Sequence, residues 1–405
     1  MAETKEVQNS SDETNMPVDI FEMVKKQDVE AVRSCLATMK NVKELYDSDG
    51  MSLLQHAAYR GNKDMCRMLL DHGADVNETK HIHNYTCLHF AALSGNRDVV
   101  QMMLEAGADP DATNSINRTP GQMAAFVGHH AVVASINNFI PKSMVEYYTK
   151  PQGLEKDPKI PPIAAPALHS YLIQVTLHPV YLALHVSSAS HLITHWPNMC
   201  RVLNLMCEKY MKATAPGGNE ILAFKTHYLA FLLEFFLKEK DTEVEAEKNK
   251  EQDGGCLSSA IRKLLKGRDV DGFPEYQERL LRQAIKAFPY TQSTILQQMV
   301  SSLGRTPVGE HPMAVTVIQG SINGQHMFTD EDSSCTTCGH SSHPPPKKCK
   351  ACHAVQYCDR RCQRLHWFDH KKRCGKLAAQ NEAARKAVDP EKPEVASEQK
   401  TVTEE

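Results

Sequence analysis

The chain has 405 residues, 41% hydrophobic and 23% charged, with a formal net charge of −3. That length predicts two to four domains, and so balanced a charge points to neither nucleic acid nor membrane surface as a bulk partner. The opening Met1 to Glu6 lacks the apolar core of a secretory signal, Ala2 stands where myristoylation needs glycine, and the apolar stretch Tyr228 to Leu237 is too short to span a bilayer and contains Glu234. The thirteen cysteines are therefore expected to be reduced, in a cytoplasmic setting.

Residues 1–16 are polar and expected to lack a fold. From 17 to 48, the run Ile20-Phe21-Glu22-Met23-Val24 to Val32 has helical apolar spacing. From 49 to 140 the sequence repeats itself. Leu54-Gln55-His56-Ala57-Ala58, Leu88-His89-Phe90-Ala91-Ala92 and Gln122-Met123-Ala124-Ala125 correspond, and each is followed by a glycine, Gly61, Gly95 or Gly128, at periods of 34 and 33 residues. Leu69 to Asn77 and Gly107-Ala108-Asp109 supply the Gly-Ala-Asp turn of the first two units. Small alanines let neighbouring helices approach, and the glycines permit a left-handed turn between helices. One such unit cannot bury its own apolar face, so units stack.

The repeats resemble ankyrin repeats, whose period is 33. The resemblance places three repeats at about 49–80, 83–114 and 117–140. It makes 17–48 a degenerate N-terminal cap, with Gln27 lying 34 residues before Gly61. Ile136 to Phe139 replaces the Gly-Ala-Asp turn, so the third unit closes the array. Within this frame His56 and His89 are structural, turn-bonding histidines rather than catalytic ones. Ankyrin arrays bind proteins through loop tips and inner helices, and Tyr59, Arg60, His81, His83, Tyr85, Asn117 and Arg118 fall near that face.

Residues 141–305 follow as a linker and helical region. After Pro158 to Pro166, helices are predicted at 172–184, 199–211, 220–237, 257–265 and 276–288, and their wide apolar faces require bundle packing. Glu239 to Gly255 reads as a charged, mobile insert. His191 and His195 share a helix face, but no third ligand accompanies them, so packing is the better reading. Residues 306–334 read as a second linker.

From 335 to 374 come four ligand pairs: Cys335-x2-Cys338, Cys349-x2-Cys352, Cys358-x3-Cys362 and His370-x3-Cys374. A Cys-x2-Cys knuckle brings both sulfurs to one ion, and eight thiolate or imidazole ligands suffice for two tetrahedral zinc ions. Four protein ligands per zinc leave no position open for a reacting water, which makes the role structural. The segment holds nine Lys/Arg against two Asp/Glu. Seven thiolates and two zinc ions together subtract about three charges, leaving about +4. No recognition helix or series of stacking aromatics accompanies that charge, so nucleic acid is not the expected ligand. Residues 375–405 read as a short helix running into a charged tail.

The run Tyr357-Cys358-x3-Cys362-Gln363-x3-Trp367-x2-His370-Lys371-x2-Cys374 resembles the second half of a MYND finger, a likeness covering about a tenth of the chain. It implies interleaved coordination, with Cys335, Cys338, Cys358 and Cys362 on one zinc and Cys349, Cys352, His370 and Cys374 on the other. It also implies binding of short proline-containing peptides through Gln363 and Trp367. Tryptophan offers a flat face to a proline ring, and glutamine bonds a peptide backbone with both donor and acceptor. The remaining histidines, His340, His343, His353 and His366, match no family ligand and read as loop or surface residues.

MYND fingers also occur in lysine methyltransferases, but no SET-type Asn-His-Ser-Cys motif, phosphate loop, dinucleotide fingerprint, Gly-x-Ser-x-Gly or HExxH occurs here, so no enzyme is expected. The whole is expected to be mainly α, an ankyrin solenoid extended by a helical region, with a C-terminal double-zinc finger. An N-terminal ankyrin array with a C-terminal MYND finger resembles the ankyrin-repeat plus MYND zinc-finger family. The likeness implies a scaffold whose two modules bind different proteins, one partner being undefined on the ankyrin face, and a role in delivering signalling proteins to cilia. A nuclear corepressor adaptor is the alternative, weakened because it needs a nuclear import signal and Lys371-Lys372-Arg373 is a weak basic cluster interrupted by zinc ligands.

Overall fold

In the computed structural model, which describes residues 16–39, 45–188, 194–212, 219–247, 257–324, 334–340 and 346–388, the sequence period becomes a stack of helix pairs. Helices α1 (Met16–Lys25) and α2 (Val29–Thr38) open it. The pairs α3 (Leu53–Tyr59) and α4 (Lys63–Asp71), α5 (Cys87–Ser94) and α6 (Arg97–Glu105), and α7 (Pro120–Val127) and α8 (His130–Asn137) continue it. Ser52, Thr86 and Thr119 each cap an inner helix, and Gln55, His89 and Gln122 close the reciprocal capping box. Two of these residues also reach across to the following unit. Gln55 Nε2 donates to the Glu78 and Tyr85 carbonyls at 3.1 and 2.9 Å, and His89 Nε2 bonds the Arg118 carbonyl at 3.0 Å. His56 pairs with Asp47 at 2.7 Å. Both histidines are therefore tied into the scaffold.

Ala57, Ala91 and Ala124 are fully buried where inner helices meet. Gly61 and Gly95 take φ of +69° and +73°, the left-handed turn that glycine favours. Gln27, at the equivalent point of the first pair, takes φ +60° without that freedom. Leu54, Leu69, Leu88, Val100 and Val132 belong to one continuous core running through the pairs.

The second core belongs to the helical region. Its elements are α9 (Lys142–Glu146), α10 (Ala165–Leu172), α11 (Pro179–Ser188), α12 (Trp196–Lys212), α13 (Glu220–Glu247), α14 (Ser258–Leu265), α15 (Glu275–Lys286), α16 (Thr294–Leu303) and α17 (Ala314–Asn323). Trp196, Leu203, Phe224, Tyr228, Phe236, Phe288 and Ile318 fill its centre. Helices α12 and α13 form the most extensive pair among the described residues.

Three sequence expectations need correction here. The single helix expected at 172–184 is broken between Leu172 and Pro179, because Val175 and Thr176 are β-branched and the residue before a proline disfavours helix. The insert expected from Glu239 continues α13 as far as Glu247, where good helix formers predominate; residues 248–256 lie outside the described residues. The linker expected at 306–334 contains α17, which buries Ala314, Ile318 and Ile322 at four-residue spacing. His191 lies outside the described residues, as do 1–15 and 389–405.

Helix α17 also returns to the ankyrin stack. Asn138 Nδ2, just past α8, donates to Asn323 Oδ1 at 2.8 Å, and Asn323 Nδ2 donates to the Val175 carbonyl at 3.2 Å. Among the described residues, no helix is long and apolar enough to cross a membrane.

Candidate functional site

The finger is built from two knuckles, a short hairpin and two helices. In the first knuckle Cys335 N–H donates to the His340 carbonyl at 3.0 Å and Gly339 N–H to the Cys335 carbonyl at 2.8 Å, with Gly339 at φ +65°. In the second, Cys349 N–H reaches the Val355 carbonyl at 2.8 Å and His353 N–H the Cys349 carbonyl at 2.9 Å. Strands β1 (Lys347–Lys348) and β2 (Gln356–Tyr357) pair antiparallel between them. Thr336 N–H donates to the Gln356 carbonyl at 2.9 Å and joins the first knuckle to β2. Helix α18 (Arg360–His370) starts on Asp359, whose carboxylate accepts the Cys362 N–H at 2.6 Å. Helix α19 (Cys374–Val388) follows, and Asn381 on it donates to the Cys352 carbonyl at 2.9 Å.

These elements collect the eight side chains into two groups. Cys335, Cys338, Cys358 and Cys362 form one, Cys349, Cys352, His370 and Cys374 the other, with ligand atoms in each within 4.8 Å of one another. This is the interleaved grouping, because each cluster draws one pair from a knuckle and one from the α18 segment. A tetrahedral zinc about 2.3 Å from each sulfur sets sulfur–sulfur edges of about 3.8 Å and a sulfur–imidazole edge of about 3.6 Å. The observed spacings are 3.8 Å for Cys338–Cys358, 3.4 Å for Cys358–Cys362, 4.0 Å for Cys349–Cys374 and 3.6 Å for Cys352 Sγ to His370 Nε2. All eight groups are thiol or imidazole, and no disulfide joins the described cysteines. The donor sets fit two zinc ions, which when bound would cross-link the knuckles to α18. Burial, with the Arg373 guanidinium nearby, lowers the His370 pKa and favours the neutral ring a metal requires.

The finger is docked on the helical region, a feature absent from the sequence expectations. Leu365 and Phe368, on the inner side of α18, pack against the helical core. Arg373 ion-pairs with the buried Asp369, donates to the Arg268 carbonyl at 2.8 Å, and lies where a Cβ on Gly272 would fall 2.5 Å from its guanidinium carbon. His340 stacks on Tyr181 with ring centroids 5.5 Å apart, and Gly339 meets His178. The only local hint was Asp369 four residues before Arg373, a helix-pair spacing.

Other expected positions divide. Gln363 and Trp367 both lie exposed on α18, Trp367 with 47% of its surface accessible. His366 is not a surface residue as expected. It is buried against Tyr357, with Nδ1 3.1 Å from the phenol oxygen, and burial pushes it down to about 4, the His370 ring adding to the effect. His340 is half-buried, His353 is exposed, and His343 lies outside the described residues. On the ankyrin face, Tyr59, Arg60, His83, Asn117 and Arg118 are exposed, while His81 is turned inward against Tyr85 and Phe90, each ring 5.3 Å away.

Two family models match the chain: Ankyrin repeats, in three copies, over residues 20–114, and MYND finger over 335–374. The first match begins in α1, the pair read above as a degenerate cap, and stops before α7 and α8, which continue the stack. Across 368 residues the chain is 31% identical to Dauer abnormal formation protein 25 of Caenorhabditis elegans, covering 90% of this chain and 92% of that protein. The chain belongs to that ankyrin-repeat and MYND-finger family. For this member of the family, the alignment spans the helical region as well as the two named modules. Both modules are in general protein-interaction modules, and the finger of this family member supplies the two zinc sites.

Proposed function

We propose that this protein is a non-enzymatic adaptor. Its ankyrin face holds one protein partner, and its zinc finger holds a short proline-containing peptide of another at Gln363 and Trp367. The observation that carries this reading is the polarity of α18. Leu365 and Phe368 face the helical core, while Gln363 and Trp367 face solvent on a segment fixed by zinc ligands at Cys362 and His370. An exposed tryptophan on a rigid frame is a favourable binding anchor. The closed coordination of both clusters supports a structural metal rather than a catalytic one.

The adaptor acts in the cytoplasm, delivering signalling membrane proteins to cilia; that part is supported by the family likeness. Calorimetry with proline-containing peptides tests the finger. Trp367→Ala is expected to weaken binding by at least about thirtyfold with zinc content unchanged at two. Unaltered binding would remove Trp367 from the contact surface. Proximity labelling in ciliated cells tests the delivery role, and a label confined to the nucleus would overturn it.

A further inference from the structure

Helix α18 presents one more ordered feature on the face that carries Trp367. Arg360, Arg364, Trp367 and Lys371 follow at intervals of four, three and four residues, the spacing that lines side chains along one side of a helix. All four are exposed, and none of the three cations has an ion-pair partner among the described residues. The finger's two acidic residues do not neutralise this row. Asp369 is buried in its pair with Arg373, and Asp359 caps the helix through the Cys362 N–H. The thiolate–zinc clusters subtract about three charges and leave the finger at about +4, so the tryptophan stands within a row of net positive charge.

Resting on the peptide reading above, we infer that the finger's ligand is an acidic proline-containing peptide, with carboxylates on both sides of the proline that packs on Trp367. The row sets their spacing. Arg360 lies about 10 Å along the helix from Trp367 and Lys371 about 6 Å beyond it, at 1.5 Å per residue. An extended peptide advances about 3.3 Å per residue, which puts carboxylates about three residues to one side of the proline and about two to the other. Opposite charge there speeds encounter and fixes the direction of the bound chain more than it adds affinity. A single-stranded nucleic acid would also be drawn to the charge, but it gains its hold by stacking successive bases on several aromatics, and this row offers one.

The test uses the full zinc-loaded chain and three synthetic peptides sharing one proline-containing core, flanked by Glu, Gln or Lys at those positions. Calorimetry at low salt is expected to rank them Glu, Gln, Lys, with about three- to tenfold between Glu and Gln, the worth of two or three exposed ion pairs. The gap is expected to close at high salt. Arg360→Glu/Arg364→Glu is expected to reverse the ranking. Arg360→Gln/Arg364→Gln is expected to flatten it, and serves if the reversed variant loses zinc. Trp367→Ala is expected to weaken binding of all three by at least about thirtyfold. Equal affinities for the Glu and Gln peptides, still dependent on Trp367, would overturn the charge inference and leave the peptide reading standing. Absence of any Trp367-dependent binding would overturn both. Displacement of the Glu peptide by an oligothymidylate at lower concentration than by unlabelled peptide would assign the row to nucleic acid instead.

Discussion

The ankyrin stack and the zinc finger solve one problem, holding short elements together, with opposite means. The stack buries leucine, valine and methionine in a core that passes from pair to pair. The finger's own buried hydrophobic cluster is six cysteines and Tyr357, so removing the metal leaves almost nothing apolar to keep it folded. Repetition distributes stability over many small contacts, whereas coordination concentrates it on two points. The finger also leans on the helical region, through Leu365, Phe368 and Arg373.

Chelation separates the two means most sharply. A strong zinc chelator is expected to unfold residues 335–374 while the stack persists, because each structural zinc contributes on the order of 10 kcal/mol. Hydrogen exchange would follow both regions in one sample, and metal analysis before chelation is expected to give two zinc per chain. A folded finger without metal would break the comparison. The reciprocal lesion is Gly95→Ala. It forces a side chain into φ +73°, with its Cβ 2.7 Å from the His129 ring. Denaturant unfolding is expected to show a loss of about 2 kcal/mol or more, with zinc content unchanged.

A smaller effect probes the region between the modules. Lys225 on α13 is fully buried and its Nζ has no hydrogen-bond partner among the described residues, so burial drives its pKa well below the usual lysine value. Lys225→Met is expected to stabilise the protein by about 1–3 kcal/mol at neutral pH. The sign of its pH dependence follows from the lowered value. Between the folded and unfolded pKa the unfolded chain holds the extra proton, so stability rises with pH toward about 10.4. The Met variant is expected to lose that slope in urea titrations at several pH values. Smallest is Gln27→Gly, which relieves a left-handed glutamine at the place where later pairs use glycine. A gain of about 1 kcal/mol is expected from thermal unfolding.

What could be read from the sequence follows the range of the interactions. Zinc ligands and repeat glycines recur at short fixed spacings, so the eight ligand positions and the stack were legible. The docking of the finger joins Arg373 to Arg268, 105 residues apart, and no local pattern encodes that. Helix α17 was missed although Ala314, Ile318 and Ile322 keep a helical period, because its β-branched residues and Gly320 lower its intrinsic propensity. His366 was misread because burial against Tyr357 depends on how the knuckles fold, not on its neighbours in the chain.

The bond between Asn138 and Asn323 spans 185 residues, and during synthesis that separation becomes time. At about 5–20 residues per second, the ribosome takes roughly 10–40 s to make the chain between them. For that interval the end of a stack that can already fold stands uncovered, with the Val133 and Asn137 side chains awaiting the turn at Gly324. The nascent protein therefore passes through a stage in which its first module is complete and sticky at one end, the stage at which a chaperone would have most to cover.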